Sequence, residues 1–298
     1  MLQQDRREGT VKELARSYAW CRALARREAK NFYYSFVFLP RDRSDSMSAI
    51  YAFSRYCDDV SDSGDPTQAA GHFQRCREML RRAFEGDSAA HPMLPALDDT
   101  RRKFQIPTEY FYDLIKGTEM DLTIKRYDTF DQLYHYCYHV ASVIGLFCIH
   151  IFGFTDPAAK QFAEYRGIAF QLTNILRDVK EDAAMGRIYL PQQDLRRFGV
   201  SESQVLAGQW NEGLRELLRF EGQRTEEFYS RSKPLDALIE SRSRPALAVM
   251  TNIYHGLLHK IAARDYHVMD ETIRLSTPAK IALAANSWFR TALLGKLS

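Results

Sequence analysis

The chain has 298 residues, 45% hydrophobic and 27% charged, a composition that excludes a disordered or collagen-like polymer. Lysine and arginine number 41 against 38 acids, a net charge of +3. That balance gives no footprint of a nucleic-acid binder and leaves open a weak attraction to an anionic membrane or substrate.

The elements read as helices in chain order. Residues 1–10 are polar and lack signal-peptide character. A first helix is predicted over 13–30. After Pro40, a polar start at 42–46 leads a helix to Asp62, stopped by Gly64-Asp65-Pro66. Further helices are predicted over 68–85, from Pro107-Thr108-Glu109 onward, and continuously over about 131–152. The apolar run 140–154, interrupted by His150, is short for a bilayer span and reads as a buried helix. Asp156-Pro157 opens a long helix through Asp182, Gly186 interrupts it, and Pro191 begins a turn. Three more helices cover about 208–230, 246–266 and 277–294. Period-two alternation is nearly absent, so strands are not expected, and one all-α domain over 1–298 is the simplest organisation.

Cys21, Cys57, Cys76, Cys137 and Cys148 are odd in number and have no Cys-x-x-Cys spacing. They point away from disulfides and zinc and toward a reducing cytoplasm. His135 and His139 are four apart but sit in an aromatic-rich helix, which reads as packing.

Two helices carry acidic stripes. Tyr51, Arg55, Asp58 and Asp62 step by four, three and four, so they share one face. Gln171, Asn174, Asp178 and Asp182 form a second stripe beside the apolar row Ile168, Leu172, Ile175 and Val179. Acidic pairs four apart are common by chance in a chain with 38 acids, and a solvated face is the default for either cluster alone. Their conjunction is less ordinary. Both stripes end in carboxylates near a helix C-terminus, where negative charge opposes the helix dipole at about 0.3–1 kcal/mol each. A compensating cation is expected. A hard divalent ion holding a diphosphate suits carboxylate ligands, and Arg55, Arg177, Lys180 and Arg187 stand ready to meet phosphate.

These segments resemble the squalene/phytoene synthase family, head-to-head prenyl synthases of the isoprenoid-synthase fold. Asp58-Asp59-Val60-Ser61-Asp62 is similar to the family's first aspartate-rich motif, and 174–182 followed by Gly186-Arg187-Ile188-Tyr189-Leu190-Pro191 to its second. Residues 31–40 resemble the family's entry segment, and 136–145 the helix between the motifs, with Ser142 where many members have glycine. The order of motifs spans about 15–290.

The resemblance implies a helical bundle around a central apolar cavity. It assigns Mg²⁺ to Asp58, Asp62, Asn174, Asp178 and Asp182, with Asp59 and Glu181 behind them. Arg55, Arg187 and Tyr189 would lie near the departing diphosphate. Tyr51, Gln171 and Tyr136 would line the chamber, with Tyr136 handling a proton or cation. Phe32, Phe36, Val140, Val143, Ile144, Leu146 and Leu172 would supply apolar walls that keep water from an allylic cation.

The implied reaction joins two C15 farnesyl diphosphates to presqualene diphosphate, continuing to squalene only with NADPH. No nucleotide fingerprint is visible. Phytoene synthesis from two C20 geranylgeranyl diphosphates is the near rival, and a catalytically silent metal- or partner-binding scaffold is the rival from another class. The expected partners are polyprenyl diphosphates and downstream isoprenoid enzymes, with no nucleic acid. The expected location is the cytoplasm with peripheral membrane contact.

Overall fold

The structure, a computed structural model, describes residues 2–29, 36, 38–61, 66–276, 278 and 282–283. In chain order the helices are α1 Leu2–Glu28, α2 Arg41–Ser61, α3 Pro66–Phe84, α4 Leu94–Lys103, α5 Thr108–Thr123 and α6 Phe130–Cys137. They continue with α7 Val143–Phe152, α8 Ala159–Ala184, α9 Gln192–Arg197, α10 Glu202–Leu206, α11 Glu212–Ser232, α12 Leu235–Leu238 and α13 Arg244–Ala262. Among the described residues there is no strand, only the isolated bridges Arg126–Ile188 and Phe154–Ile239. The all-α expectation holds. Phe32, Asp62 and nearly all of the helix expected at 277–294 lie outside the described residues.

Several elements differ from the expectation for physical reasons. α1 begins at Leu2, in a stretch too polar to display an apolar face. α4 was hidden by Pro95, which sits in its first turn, where a missing N–H costs nothing. α9, α10 and α12 are six, five and four residues long, too short to show a helical period. The continuous helix expected over 131–152 is interrupted by a π turn, Tyr138–Ser142, where the Val143 N–H donates to Tyr138 O five residues back.

That π turn is wedged between two helices. α8 lies along α7, the π turn, α11 and α13, while α2 lies along α7 and α5. A Cβ on Gly117 of α5 would sit 2.9 Å from the His139 carbonyl carbon, and one on Gly167 of α8 would sit 2.4 Å from Ser142 Cα. Backbone therefore meets backbone on both sides. Ser142 fits because it is small and its hydroxyl donates to Glu164 O at 2.8 Å. The stretch Phe130–Phe152 is long and apolar enough to cross a membrane by length and composition, yet it occupies the middle of the bundle. Phe147, Ile151 and Phe152 have no exposed surface, as the buried-helix reading expected.

The core also encloses charge. Glu221 of α11 is buried, and the Arg224 guanidinium donates to it at 2.7 Å and to Asp194 at 2.9 Å. Burial pushes the Glu221 carboxyl up to about 8 despite that cation. A carboxyl raised on folding stabilises the native state fully below its ordinary value, 4.5, and loses that contribution as pH climbs through about 8. Glu221→Gln cannot ionise. Its denaturation midpoint relative to wild type is therefore expected to climb between pH 5 and 8.5, and a pH-independent gap would contradict this. Separately, Gly167→Ala is expected to cost about 1–3 kcal/mol by overpacking, several degrees in Tm. Gly71→Ala, whose Cβ would meet only Arg75 Nη1 at 3.5 Å inside α3, is the contrasting variant and is expected to hold or raise Tm in the same thermal melts.

Candidate active site

α2 and α8 each bring a polar row to one chamber of about 220 Å³. From α2 come Met47, Ile50, Tyr51, Ser54 and Asp58, and from α8 Ala163, Arg166, Gly167, Phe170, Gln171 and Asn174. Val140, Ala141, Ile144, Gly145 and Cys148 of the π turn and α7 lie between them, and Met250 and Tyr254 of α13 close another wall. Asp58 and Asn174 are the last residue that α2 and α8 respectively contribute to the lining, counted toward each C-terminus. Two segments more than a hundred residues apart thus share one hollow whose other walls are mainly apolar.

The second row continues past the chamber along α8. Asn174 hydrogen-bonds the Tyr254 hydroxyl, and Tyr254 also lines an adjoining groove with Arg177, Asp178, Glu181, Thr272 and Arg274. There the Arg177 Nε donates to Asp178 Oδ1 at 2.6 Å, and Glu181 accepts from the Thr272 hydroxyl. One turn further, Asp182 lies in a small pocket with Arg187, Ile188 and Tyr189. Burial, and after it the negative charge of Asp178, pushes the Asp182 carboxyl up to about 7, against the pull of Arg187.

Beyond Asp182 sits a cluster that joins the expected Tyr136 and Tyr189 to two residues the sequence did not single out, Asp121 and Tyr127. Gly186 takes a positive φ of 73° and turns the chain. Ile188 N then donates to Lys125 O at 3.1 Å and Gln192 N to Tyr127 O at 2.8 Å. This ties the 186–192 loop to the segment after α5. Tyr189 consequently donates to Asp121 at 3.0 Å and stacks on Tyr136, with ring centroids 5.1 Å apart. Tyr127 lies 5.3 Å from Tyr136, and burial raises the Tyr136 phenol well above its ordinary value. Asp121 and Tyr127 were missed because α5 and its exit carry no regular polar stripe. The signal available was their proximity in sequence, Asp121 to Arg126-Tyr127, and it has meaning only once the loop pairing is known.

The expected residues distribute as follows. Asp58, Tyr51, Gln171 and Asn174 line the chamber; Asp178 and Asp182 extend the α8 row into the two adjoining pockets. Tyr136 is buried in the aromatic cluster rather than on the chamber wall. Phe36, Val140 and Ile144 line the chamber, whereas Val143, Leu146 and Leu172 are buried elsewhere in the core. Arg55 pairs with Glu28 at 3.2 Å and Asp59 at 2.5 Å, and the Lys180 ammonium donates to Asp270 O at 2.7 Å. Arg166, unnoticed in the sequence, is a buried cation on the chamber wall. Its guanidinium is already engaged with Ser232, Thr251 and Asp236.

The side chains that could hold a metal offer only oxygen: the carboxylates of Asp58, Asp178 and Asp182 and the amide oxygen of Asn174. That chemistry fits a hard divalent cation. The raised Asp182 carboxyl follows first from burial and then from the charge of Asp178, with Arg187 pulling it down.

Known proteins share the fold. A family model described as Squalene/phytoene synthase matches residues 25–280. A phytoene synthase of Mycobacterium tuberculosis is 37% identical over 277 residues, covering 92% of this chain and 91% of its own. One of Arthrospira platensis is 35% identical over 285 residues, covering 89% and 90%. A crystal structure of a dehydrosqualene synthase in complex with ligand superposes with a TM-score of 0.85 at 31% identity, covering 94% of this chain and 98% of that one. The squalene synthase HpnC from Alicyclobacillus acidocaldarius gives 0.80 at 30%, covering 87% and 98%. Fold and relatives together define a prenyltransferase with the all-α isoprenoid-synthase architecture. The chain belongs to the squalene/phytoene synthase family.

Asp58→Asn, Asp178→Asn and Asn174→Ala are each expected to lower diphosphate release by on the order of 10²–10³-fold while leaving the helical circular dichroism unchanged. Loss of the helical spectrum would instead assign these side chains to the fold.

Proposed function

We propose that the chain joins two identical allylic polyprenyl diphosphates head to head, releasing one diphosphate and forming a cyclopropyl diphosphate. The observation that carries this reading is the meeting of Asp58 from α2 with Gln171 and Asn174 from α8 on one largely apolar chamber. Asp58, Asn174, Asp178 and Asp182 would hold Mg²⁺, and the resemblance adds Asp62 to that set. Bound there, Mg²⁺ supplies the positive charge that makes diphosphate a competent leaving group. Arg187 and Tyr189, beside Asp182, orient the departing diphosphate by hydrogen bonding. The walls Phe36, Val140, Ile144 and Phe170 exclude water from the allylic cation, and the faces of Phe36 and Phe170 stabilise its charge. The C1–O bond of one substrate breaks with its electron pair on diphosphate. The double bond of the second substrate then attacks C1, and loss of a proton closes the three-membered ring. On the route to phytoene this cyclopropyl diphosphate ionises in turn, releasing the second diphosphate, and the rearranged cation ends by losing a second proton.

Phytoene synthesis from C20 substrates is placed first, on the names of the relatives at 37% and 35% identity. Synthesis from C15 substrates is the second reading, favoured by the ligand-bound dehydrosqualene synthase with its TM-score of 0.85. Five extra carbons at about 0.8 kcal/mol per buried CH₂ give a discrimination of about 4 kcal/mol to whichever chamber depth exists. A cytoplasmic site touching the membrane suits an oily product, and the buried free cysteines support a reducing compartment.

The test is mass spectrometry of products from C15 and C20 donors with Mg²⁺, with and without NADPH. Phytoene from the C20 donor is expected, with no dependence on NADPH. Turnover of C15 alone would transfer the assignment to the squalene type, and silence with both donors would sink the enzymatic reading in favour of a scaffold.

A further inference from the structure

We propose that Glu226, His255 and His259 form a second metal site, selective for a transition-metal dication of the Zn²⁺ type, that ties α11 to α13. The site lies apart from the oxygen-lined row of α8 and its geometry is independent of the reaction assigned above.

His255 and His259 are four residues apart on α13 and therefore project from the same face. Both direct Nε2 at one carboxylate on the facing helix. His255 Nε2 lies 2.8 Å from Glu226 Oε2, and His259 Nε2 lies 3.4 Å from Oε1. One donor atom from each of the three residues falls within 4.8 Å of the others. A tetrahedral zinc with bonds of about 2.0–2.2 Å holds its donors roughly 3.3–3.5 Å apart. An ion can therefore replace the direct contacts through small side-chain rotations, without moving either helix. The Tyr229 ring stands 4.3 Å from the His255 ring and the two imidazoles are 4.1 Å apart, so packing already holds His255 in place. His259, with 64% of its side chain exposed, leaves the ion a water-filled fourth position.

The donor types separate this site from the first. Two imidazoles and a carboxylate suit Zn²⁺, Ni²⁺ or Cu²⁺, whereas Mg²⁺ prefers an all-oxygen shell. The location also has a structural consequence. His255 follows Tyr254, whose hydroxyl bonds Asn174 and whose ring lines both the chamber and the Asp178 groove. α11 in turn packs along α8. An ion at Glu226, His255 and His259 clamps the outer side of the wall whose inner side is Tyr254.

The experiment is calorimetric titration of the full, untagged chain with Zn²⁺ in excess Mg²⁺, supported by the visible absorption of Co²⁺ as a coordination probe. One Zn²⁺ per chain is expected at about micromolar Kd or tighter, with tetrahedral Co²⁺ bands. His259→Ala and Glu226→Gln, both at partly exposed positions, are each expected to weaken binding at least about ten-fold while circular dichroism is unchanged. His267→Ala, outside the cluster, serves as the control and is expected to bind as wild type. Absence of a stoichiometric site in the wild type, or variants that bind Zn²⁺ as the wild type does, would overturn the proposal and leave the three residues as a plain ion-paired seam. Neither result bears on turnover of prenyl diphosphates.

Discussion

The structure is organised around negative charge placed where a helix disfavours it. α2 ends in Asp58 and Asp59, α8 in Glu181 and Asp182, and neither helix carries a base in its last turn. Each such carboxylate opposes the helix dipole by about 0.3–1 kcal/mol, and burial adds to the cost for Asp182. The available cations only partly offset it. Arg177 is bound to Asp178, Arg55 to Asp59 and Glu28, and Arg166 is committed to Ser232, Thr251 and Asp236. A folded chain that retains this arrangement is prepared for an external positive charge. We propose that a metal carrying diphosphate meets that need; interactions made with the leaving group as its charge develops would then lower the barrier.

The rest of the bundle makes such a site usable. The chamber lies where α8 and α2 both pack on α7, with the π turn held between α8 and α5. Gly167 lets α8 touch the π turn at Ser142, and Gly117 does the same for α5 at His139. The Gly167 contact seats α8 on the π turn, and two turns further on Asn174 reaches the same hollow as Asp58. The 186–192 loop performs a parallel task at the far end of α8. By pairing with 125–128 it seats Tyr189 against Asp121 and Tyr136 and brings Arg187 beside Asp182.

Periodicity made the helical architecture legible, along with the two polar rows and their placement beside apolar faces. Resemblance sharpened those rows into a family. What periodicity could not show were features that arise from pairing between distant segments. The π turn needs the glycines of two other helices to explain it, and Asp121 and Tyr127 acquire a role only through the loop that reaches them. Tyr136 illustrates the limit well. Its motif was visible, but the sequence could not say that its phenol would be stacked under Tyr189 instead of lying on the chamber wall. Likewise Arg177 reads as a free phosphate ligand until its guanidinium is seen folded onto the neighbouring Asp178. The Glu226, His255 and His259 cluster draws on two helices and was invisible for the same reason.

We propose that the α2 and α8 rows jointly hold one metal–diphosphate assembly at the chamber. Crystals grown with Mn²⁺ and an uncleavable thiodiphosphate analogue of the prenyl substrate test this by anomalous scattering. Manganese peaks and diphosphate density bridging Asp58 to Asn174 and Asp178 are expected, with the prenyl tail in the chamber. Diphosphate bound to only one of the two helices, or manganese confined to sites away from the chamber, would contradict it.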